Sequence, residues 1–283
     1  MLSLLFGLAA ALAWGVHDVC VQFVTARSGV ALAFLTVLAV GLLGVMPVVL
    51  LFGDWSVVSG GTILAATASG LAYAGGGYGL YRAFAIGPVR LVAPAIGAFP
   101  ILSLGWAAAQ GQPPSLGQML AVLVIVSGVA LTAVLADHGS ADGSARRPRA
   151  ALLWSAAAAC GFALTFALGQ AASAGAAALP TILISRGVAL FGVVAATLAF
   201  GTRPVLRPAP WGVLAVMGCC DALALGLVQA AGGLSHPEFA SVAASTFGMI
   251  TVLLAAAFLK EKMSPAQWFA VVLVFAGIAY LAV

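Results

Sequence analysis

The chain has 283 residues, of which 64% are hydrophobic and 6% charged, with a net charge of +4 and a mean hydropathy of +1.19. A soluble domain carries roughly a quarter charged residues, so this composition excludes a globule covered by water. The apolar runs are about twenty residues long and do not alternate, which excludes a β-barrel and predicts an all-α integral membrane protein.

A ruler of about twenty residues per crossing divides the chain into ten transmembrane helices. They are expected over 2–24, 29–52, 61–84, 90–109, 115–135, 150–170, 178–200, 210–233, 238–258 and 265–283. The opening stretch Met1–Val24 has no basic n-region and is too long for a secretory signal, so it reads as the first span. It carries Trp14, His17, Asp18 and Gln22. Positions 14, 18 and 22 recur every fourth residue and share one helix face, with 17 beside them. A charge in the hydrocarbon costs at least about 2.5–3.5 kcal/mol on insertion scales, so that stripe is expected to point inward. Asp18 there either caps or pairs with a neighbouring helix, or binds a substrate amine or a proton. His17 beside it suggests a proton relay, set against the plainer reading of a hydrogen-bonded histidine.

The third span reads Tyr73, Gly75–Gly77, Tyr78, Gly79, Tyr81, Arg82. Its glycines favour close helix approach; with no following lysine and no preceding strand they form no phosphate loop. Tyr73, Tyr81 and Tyr78 offer rings and hydroxyls to a ligand, with an interfacial position the alternative for Tyr81, and Arg82 is expected to snorkel. The fourth span holds Pro94 and Pro100 after Pro88. Proline frees a carbonyl and bends a helix, which is tolerated where backbone lines a cavity. The ninth span has Ser241, Ser245 and Thr246 instead, and these two helices are the expected cavity walls.

The long polar stretch Asp137–Arg149 joins two halves: residues 1–136 as a first five-helix repeat, 137–149 as a linker loop and 150–283 as a second repeat. Arg186 in the seventh span and Asp221 in the eighth lie at depths that allow a pair, either structural or in contact with substrate. Glu238 follows His236–Pro237 at a helix start, where a carboxylate suits the dipole. Asp18, Asp221 and Glu238 are the candidates for proton coupling. The cysteines Cys20, Cys160, Cys219 and Cys220 read as small packing residues at spacings that match no metal motif. Neither a metal nor another cofactor is expected.

Shifted by 149 residues, the fourth and fifth spans align with the ninth and tenth without a gap. Agreeing pairs include Ala95–Ala244, Ser115–Ser264, Gln118–Gln267, Ala121–Ala270 and Gly128–Gly277. At a shift of 148 the earlier spans repeat more faintly, through Gly44–Gly192, Gly53–Gly201 and Gly70–Gly218. Five spans per copy is an odd number, so the second copy enters from the opposite face. The expected architecture is two inverted repeats about an axis in the membrane plane. Arg27, Arg82, Arg90, Arg146, Arg147, Arg149, Arg203, Arg207, Lys260 and Lys262 all fall at odd-numbered connections. The positive-inside rule then places those connections in the cytoplasm and both termini outside.

Three features carry a family resemblance: Ala13-Trp14-Gly15 in the first helix, and, after a helix rich in small residues, Lys260-Glu261-Lys262 and Ser264-Pro265, with a late Gly277. Ala93–Leu131 follows the same outline with Gln110-Gly111-Gln112 where Gly-Glu is usual. Together they resemble the EamA-type repeat of the drug/metabolite transporter superfamily over nearly the whole chain. The resemblance implies a ten-helix carrier of small metabolites, with amino-acid export common among bacterial members. It also implies cytoplasmic termini in many members, whereas the charge distribution here favours the opposite.

The expected function is a secondary transporter of the plasma (bacterial inner) membrane, working by alternating access around a central cavity. Trp14, His17, Asp18, Gln22, Tyr73, Tyr78, Pro94, Arg186, Asp221 and Ser245 are its candidate substrate-binding residues. Export of lipophilic cations and lipid flipping stay open as alternatives. No intramembrane protease or metal motif supports an enzyme, and no Walker lysine supports ATP as the energy source. The expected partners are a small-molecule substrate and the lipid bilayer, without nucleic acid, for a monomer or homodimer.

Overall fold

A computed structural model of the chain describes residues 1–102, 105, 115–138, 147–174, 178–199, 209–260 and 263–281. Among these residues the protein is helical throughout. Its α-helices are α1 (Leu2–Ser28), α2 (Val30–Phe52), α3 (Gly60–Ile86), α4 (Val89–Gly97), α5 (Leu116–His138), α6 (Pro148–Ser173), α7 (Ala178–Ala199), α8 (Trp211–Ala230), α9 (Glu238–Ala244), α10 (Phe247–Phe258) and α11 (Pro265–Leu281). Six segments are long and apolar enough to cross a membrane: α1, α2, α6, α7, Trp211–Gly233 and Glu238–Phe258. The apolar helical stretches Val89–Leu102, Leu116–Leu131 and Pro265–Tyr280 are shorter. α3 has 27 residues, but its middle is glycine and tyrosine rather than aliphatic. Large apolar side chains such as Leu43, Leu51, Phe191 and Leu198 stay exposed, an outer surface suited to hydrocarbon rather than water. The protein is thus a multi-pass membrane protein.

Two expected spans are not continuous helices. In the fourth, α4 ends at Gly97, the chain turns at Ala98–Phe99 and the helix resumes at Pro100. Pro100 has no N–H to give the Ile96 carbonyl, and that carbonyl accepts from Phe99 instead, at 3.2 Å. The end of that expected span and the Gln110-Gly111-Gln112 segment lie outside the described residues. The ninth span breaks at Ser245–Thr246 by different chemistry. Ser245 Oγ donates to the Val242 carbonyl at 2.6 Å and Thr246 Oγ1 to that of Ala243 at 2.7 Å, while the Ser245 N–H is shared between the Ser241 and Val242 carbonyls and the Thr246 N–H donates to the residue three back. Helix also covers both edges of the expected 137–149 linker, because α5 runs to His138 and α6 starts at Pro148.

Several sequence identities at a shift of 149 have a direct structural reason. Ser115 with Gln118 and Ser264 with Gln267 form equivalent capping boxes, each with a backbone N–H donating to the glutamine Oε1 (2.8 and 2.9 Å) and a return bond of 3.2 Å to the serine. Between α5 and α11, Gly128 seats Val274 and Ala270, while Gly277 seats Ile125 and Ala121. Each of these contacts maps onto the other by the same shift. At the shift of 148, Gly70 against Ser185 and Val188 maps onto Gly218 against Val37 and Val40. The helix neighbours follow suit. α3 packs on α6 and α7 as α8 packs on α1 and α2, and α4 packs on α6 as the α9–α10 pair packs on α1.

Candidate functional site

Four helices bring their charged and polar residues to one point near mid-length. Asp221 of α8 is the hub, 2% exposed. Its Oδ2 accepts from Arg186 Nη2 of α7 at 2.9 Å, and its Oδ1 accepts from Trp14 Nε1 of α1 at 3.2 Å and from the Tyr73 hydroxyl of α3. Arg186 is fully buried, its guanidinium packed against Gly41, which also faces the Gly218 carbonyl. A side chain on Gly41 would occupy the guanidinium's space, so that glycine exists to seat the ion pair.

Beside this hub, His17 Nδ1 lies 2.7 Å from Asp18 Oδ1 and His17 Nε2 lies 2.8 Å from the Tyr81 hydroxyl. A neutral ring with hydrogen on Nδ1 donates to Asp18 and accepts from Tyr81, satisfying every group but one. Asp18 Oδ2 is buried without a hydrogen-bond partner. Trp14, His17, Asp18, Tyr73, Tyr81 and Asp221 line a narrow central cavity. Rings close the rest of its wall: Phe34 from α2, Phe162 and Phe166 from α6, and Phe247 at the start of α10. Trp14 sits 5.5 Å from Phe166, which stacks on Phe162 at 6.0 Å. The cavity therefore combines a few fixed polar groups with an aromatic lining, as ligand sites do.

The sequence shift relates several of these residues. At a shift of 148, Trp14 corresponds to Phe162, Asp18 to Phe166 and Tyr73 to Asp221. The bond from Tyr73 to Asp221 thus joins two positions that the sequence shift of 148 relates.

The remaining candidates sit elsewhere. Gln22, two helical turns from Trp14, donates to the Gly87 carbonyl at 2.7 Å and borders a second cavity with Thr25, Ala26, Phe84 and Ile86. Tyr78 packs edge-on against Trp154, away from the centre. Pro94 is buried within α4, and the Ser245 hydroxyl is spent on its own helix. Glu238 is exposed and 3.0 Å from His236, far from Asp18 and Asp221 in its setting. Glu261 and Lys262 lie outside the described residues. Cys20 and Cys220 are half-buried while Cys160 and Cys219 are exposed, and all four are free thiols.

Sequence reasoning left out Phe34, Phe162, Phe166 and Phe247, which look like ordinary membrane phenylalanines. The one signal was internal, since two of them answer Trp14 and Asp18 in the other repeat. A second polar layer was also missed. Toward the face where α1 begins, Gln229 Nε2 reaches Ser185 Oγ at 3.2 Å and Ser69 Oγ at 3.4 Å, and Ser69 donates to the Thr165 carbonyl at 2.8 Å. Gln170 Nε2 meets the Pro237 carbonyl and Ser241 Oγ, both at 2.9 Å, tying α6 to α9.

Residues 149–283 match the model of the EamA-like transporter family. No curated protein matches the chain. Among 23 matching solved chains, one crystal structure aligns with 98% of this chain and 97% of its own at a TM-score of 0.64 and 18% identity, a likeness of fold. The family match over residues 149–283 supports an EamA-type transporter of the drug/metabolite transporter superfamily, and the likeness of fold extends over the whole length.

Proposed function

We propose that this transporter is a secondary carrier of small, partly polar organic metabolites, with amino acids and their relatives first on the panel of cargoes. Its two halves are inverted five-span repeats that rock about the cavity between Asp18, Asp221 and the surrounding rings, exposing it to each face in turn. The observation that carries this reading is the position of that cavity at the junction of equivalent residues. Buried ionisable groups there are costly and are kept where cargo or protons pass.

The present form is a closed one. Only about 20 Å³ of the cavity admits the centre of a water-sized molecule, so cargo requires the rings to part. Toward the face where α1 begins, the Gln229–Ser69 and Ser69–Thr165 bonds tie the halves together, and Gln170 ties α6 to α9 within the second half. Toward the other face, the second cavity at Gln22 leaves α1 and α3 less tightly joined. Arg27, Arg82, Arg147, Arg149 and Lys260 flank helix ends at that other face, which supports a cytoplasmic assignment for it, with the termini outside and the plasma membrane as location. Asp18 and Asp221 are the groups proposed to take up a proton during the cycle; the exposed Glu238 is unlike them.

Counterflow in proteoliposomes tests the proposal. Vesicles preloaded with single unlabelled amino acids, amines and organic acids are expected to accumulate the labelled form of at least one. Absence of counterflow across a broad panel defeats the carrier reading.

A further inference from the structure

The charge balance of the central cavity narrows what it accepts. Asp221 has a full set of donors, from Arg186, Trp14 and Tyr73. Asp18 has one, the His17 ring, and its Oδ2 is left bare in a water-poor space. A buried carboxylate oxygen without a partner is completed by a proton or by a cation brought from outside. The cavity offers no matching welcome to an anion. The Trp14 N–H and Tyr73 hydroxyl are spent on Asp221, the Tyr81 hydroxyl is spent on His17, and Arg186 is packed behind Asp221, off the cavity wall. A carboxylate on the ligand would face two aspartates with no free donor on the cavity wall, because the unbonded Arg186 Nε and Nη1 belong to a side chain that does not line it. The rest of the cavity wall is instead made of the rings of Trp14, Phe34, Phe162, Phe166 and Phe247. Aromatic faces attract a cation electrostatically and bury an apolar body.

We infer that the cavity binds a monocationic amine on an apolar or aromatic body, with its ammonium on Asp18 Oδ2, and discriminates against a free carboxylate. This rests on the carrier reading and sharpens its cargo class: amines and carboxyl-blocked amino acids are preferred over zwitterions.

Calorimetric titration of the purified full chain in nanodiscs tests it with four probes that share one ring: 2-phenylethylamine, phenylalanine amide, phenylalanine and 3-phenylpropanoate. The two amines are expected to bind saturably. Phenylalanine is expected to bind about tenfold or more weakly, since its carboxylate meets like charge, and 3-phenylpropanoate not at all. Asp18→Asn should weaken the amines by about tenfold or more while leaving the melting temperature close to that of the parent. If that variant does not fold, the order of affinities in the parent decides alone. Phenylalanine binding as tightly as its amide, amine affinity unchanged in Asp18→Asn, or failure of both amines to bind overturns the inference. Counterflow of the same probes separates the two claims. Amine binding without flux upholds the site and removes the carrier reading, whereas flux of another cargo without amine binding upholds the carrier and overturns the site.

Discussion

Asp221 collects donors from three other helices, so its removal costs more than one contact. Asp221→Asn leaves the fully buried Arg186 without a counter-ion. That change is expected to destabilise the protein by about 3–5 kcal/mol, read as a fall in melting temperature in detergent. Replacing both partners, as Arg186→Met with Asp221→Leu, removes the uncompensated charge along with the pair and should restore much of the loss. A double variant no better than the singles would show that the charge itself is not what each single leaves exposed. Gly41→Ala drives a methyl into the guanidinium and is expected to cost about 1–3 kcal/mol as an overpacking change. At this scale the polar residues of the central cavity were legible as a group. Asp18, Arg186, Asp221, Trp14 and Tyr73 stand out because charge and hydrogen-bonding side chains are expensive in hydrocarbon, and the structure brings all five to one place. Tyr78, Gln22 and Ser245 were chosen by the same rule and lie elsewhere, because polarity marks what needs a partner without saying which partner it finds. The phenylalanines carry no polarity and gave no such mark.

Among the elements, the broken helices show how far local chemistry can be read. Proline predicted trouble in the fourth span, and the helix duly interrupts before Pro100. The ninth span interrupts without proline, through Ser245 and Thr246 hydroxyls bonding back to carbonyls. Such side chains are equally at home in unbroken membrane helices, so this break was not visible in the sequence. The capping boxes at Ser115 and Ser264 were visible as identities and acquire a reason only with their geometry. Ser115→Ala and Ser264→Ala should each cost about 1 kcal/mol and, by their equivalence, nearly the same; unequal losses in thermal unfolding would argue against equivalent roles. In the layer toward the face where α1 begins, Gln229→Leu removes the amide shared by Ser185 and Ser69. Measured interhelical bonds in membranes suggest a loss of about 0.6–1.7 kcal/mol, and the layer's proposed sealing role adds a faster leak of small solutes through reconstituted vesicles. Leak equal to that of the parent would count against that role.

For the whole molecule, the self-match at 148–149 residues reported equivalent positions, and the reciprocal seating of Gly128 and Gly277 supplies the physical counterpart. The family's sequence pattern is matched over residues 149–283, while the likeness of fold covers 98% of the chain. The first half keeps the contacts with different residues, among them Pro94 and Pro100. Direction of insertion and face are not carried by packing, because the same contacts serve either orientation in the bilayer; only the lopsided basic residues bear on it. The central claim is that one cavity opens to the two faces in turn. It is tested most directly by thiol accessibility, after the four native cysteines are replaced by alanine. Ala26→Cys reports on the second cavity, and Ser173→Cys, whose hydroxyl is buried without a partner, reports on the opposite end of α6. With a membrane-impermeant reagent present on both sides, the account predicts rapid labelling at 26 and slow labelling at 173 without cargo, and opposite changes at the two positions when a transported cargo is added. Labelling that does not respond to cargo, or that rises or falls together at both positions, would contradict it.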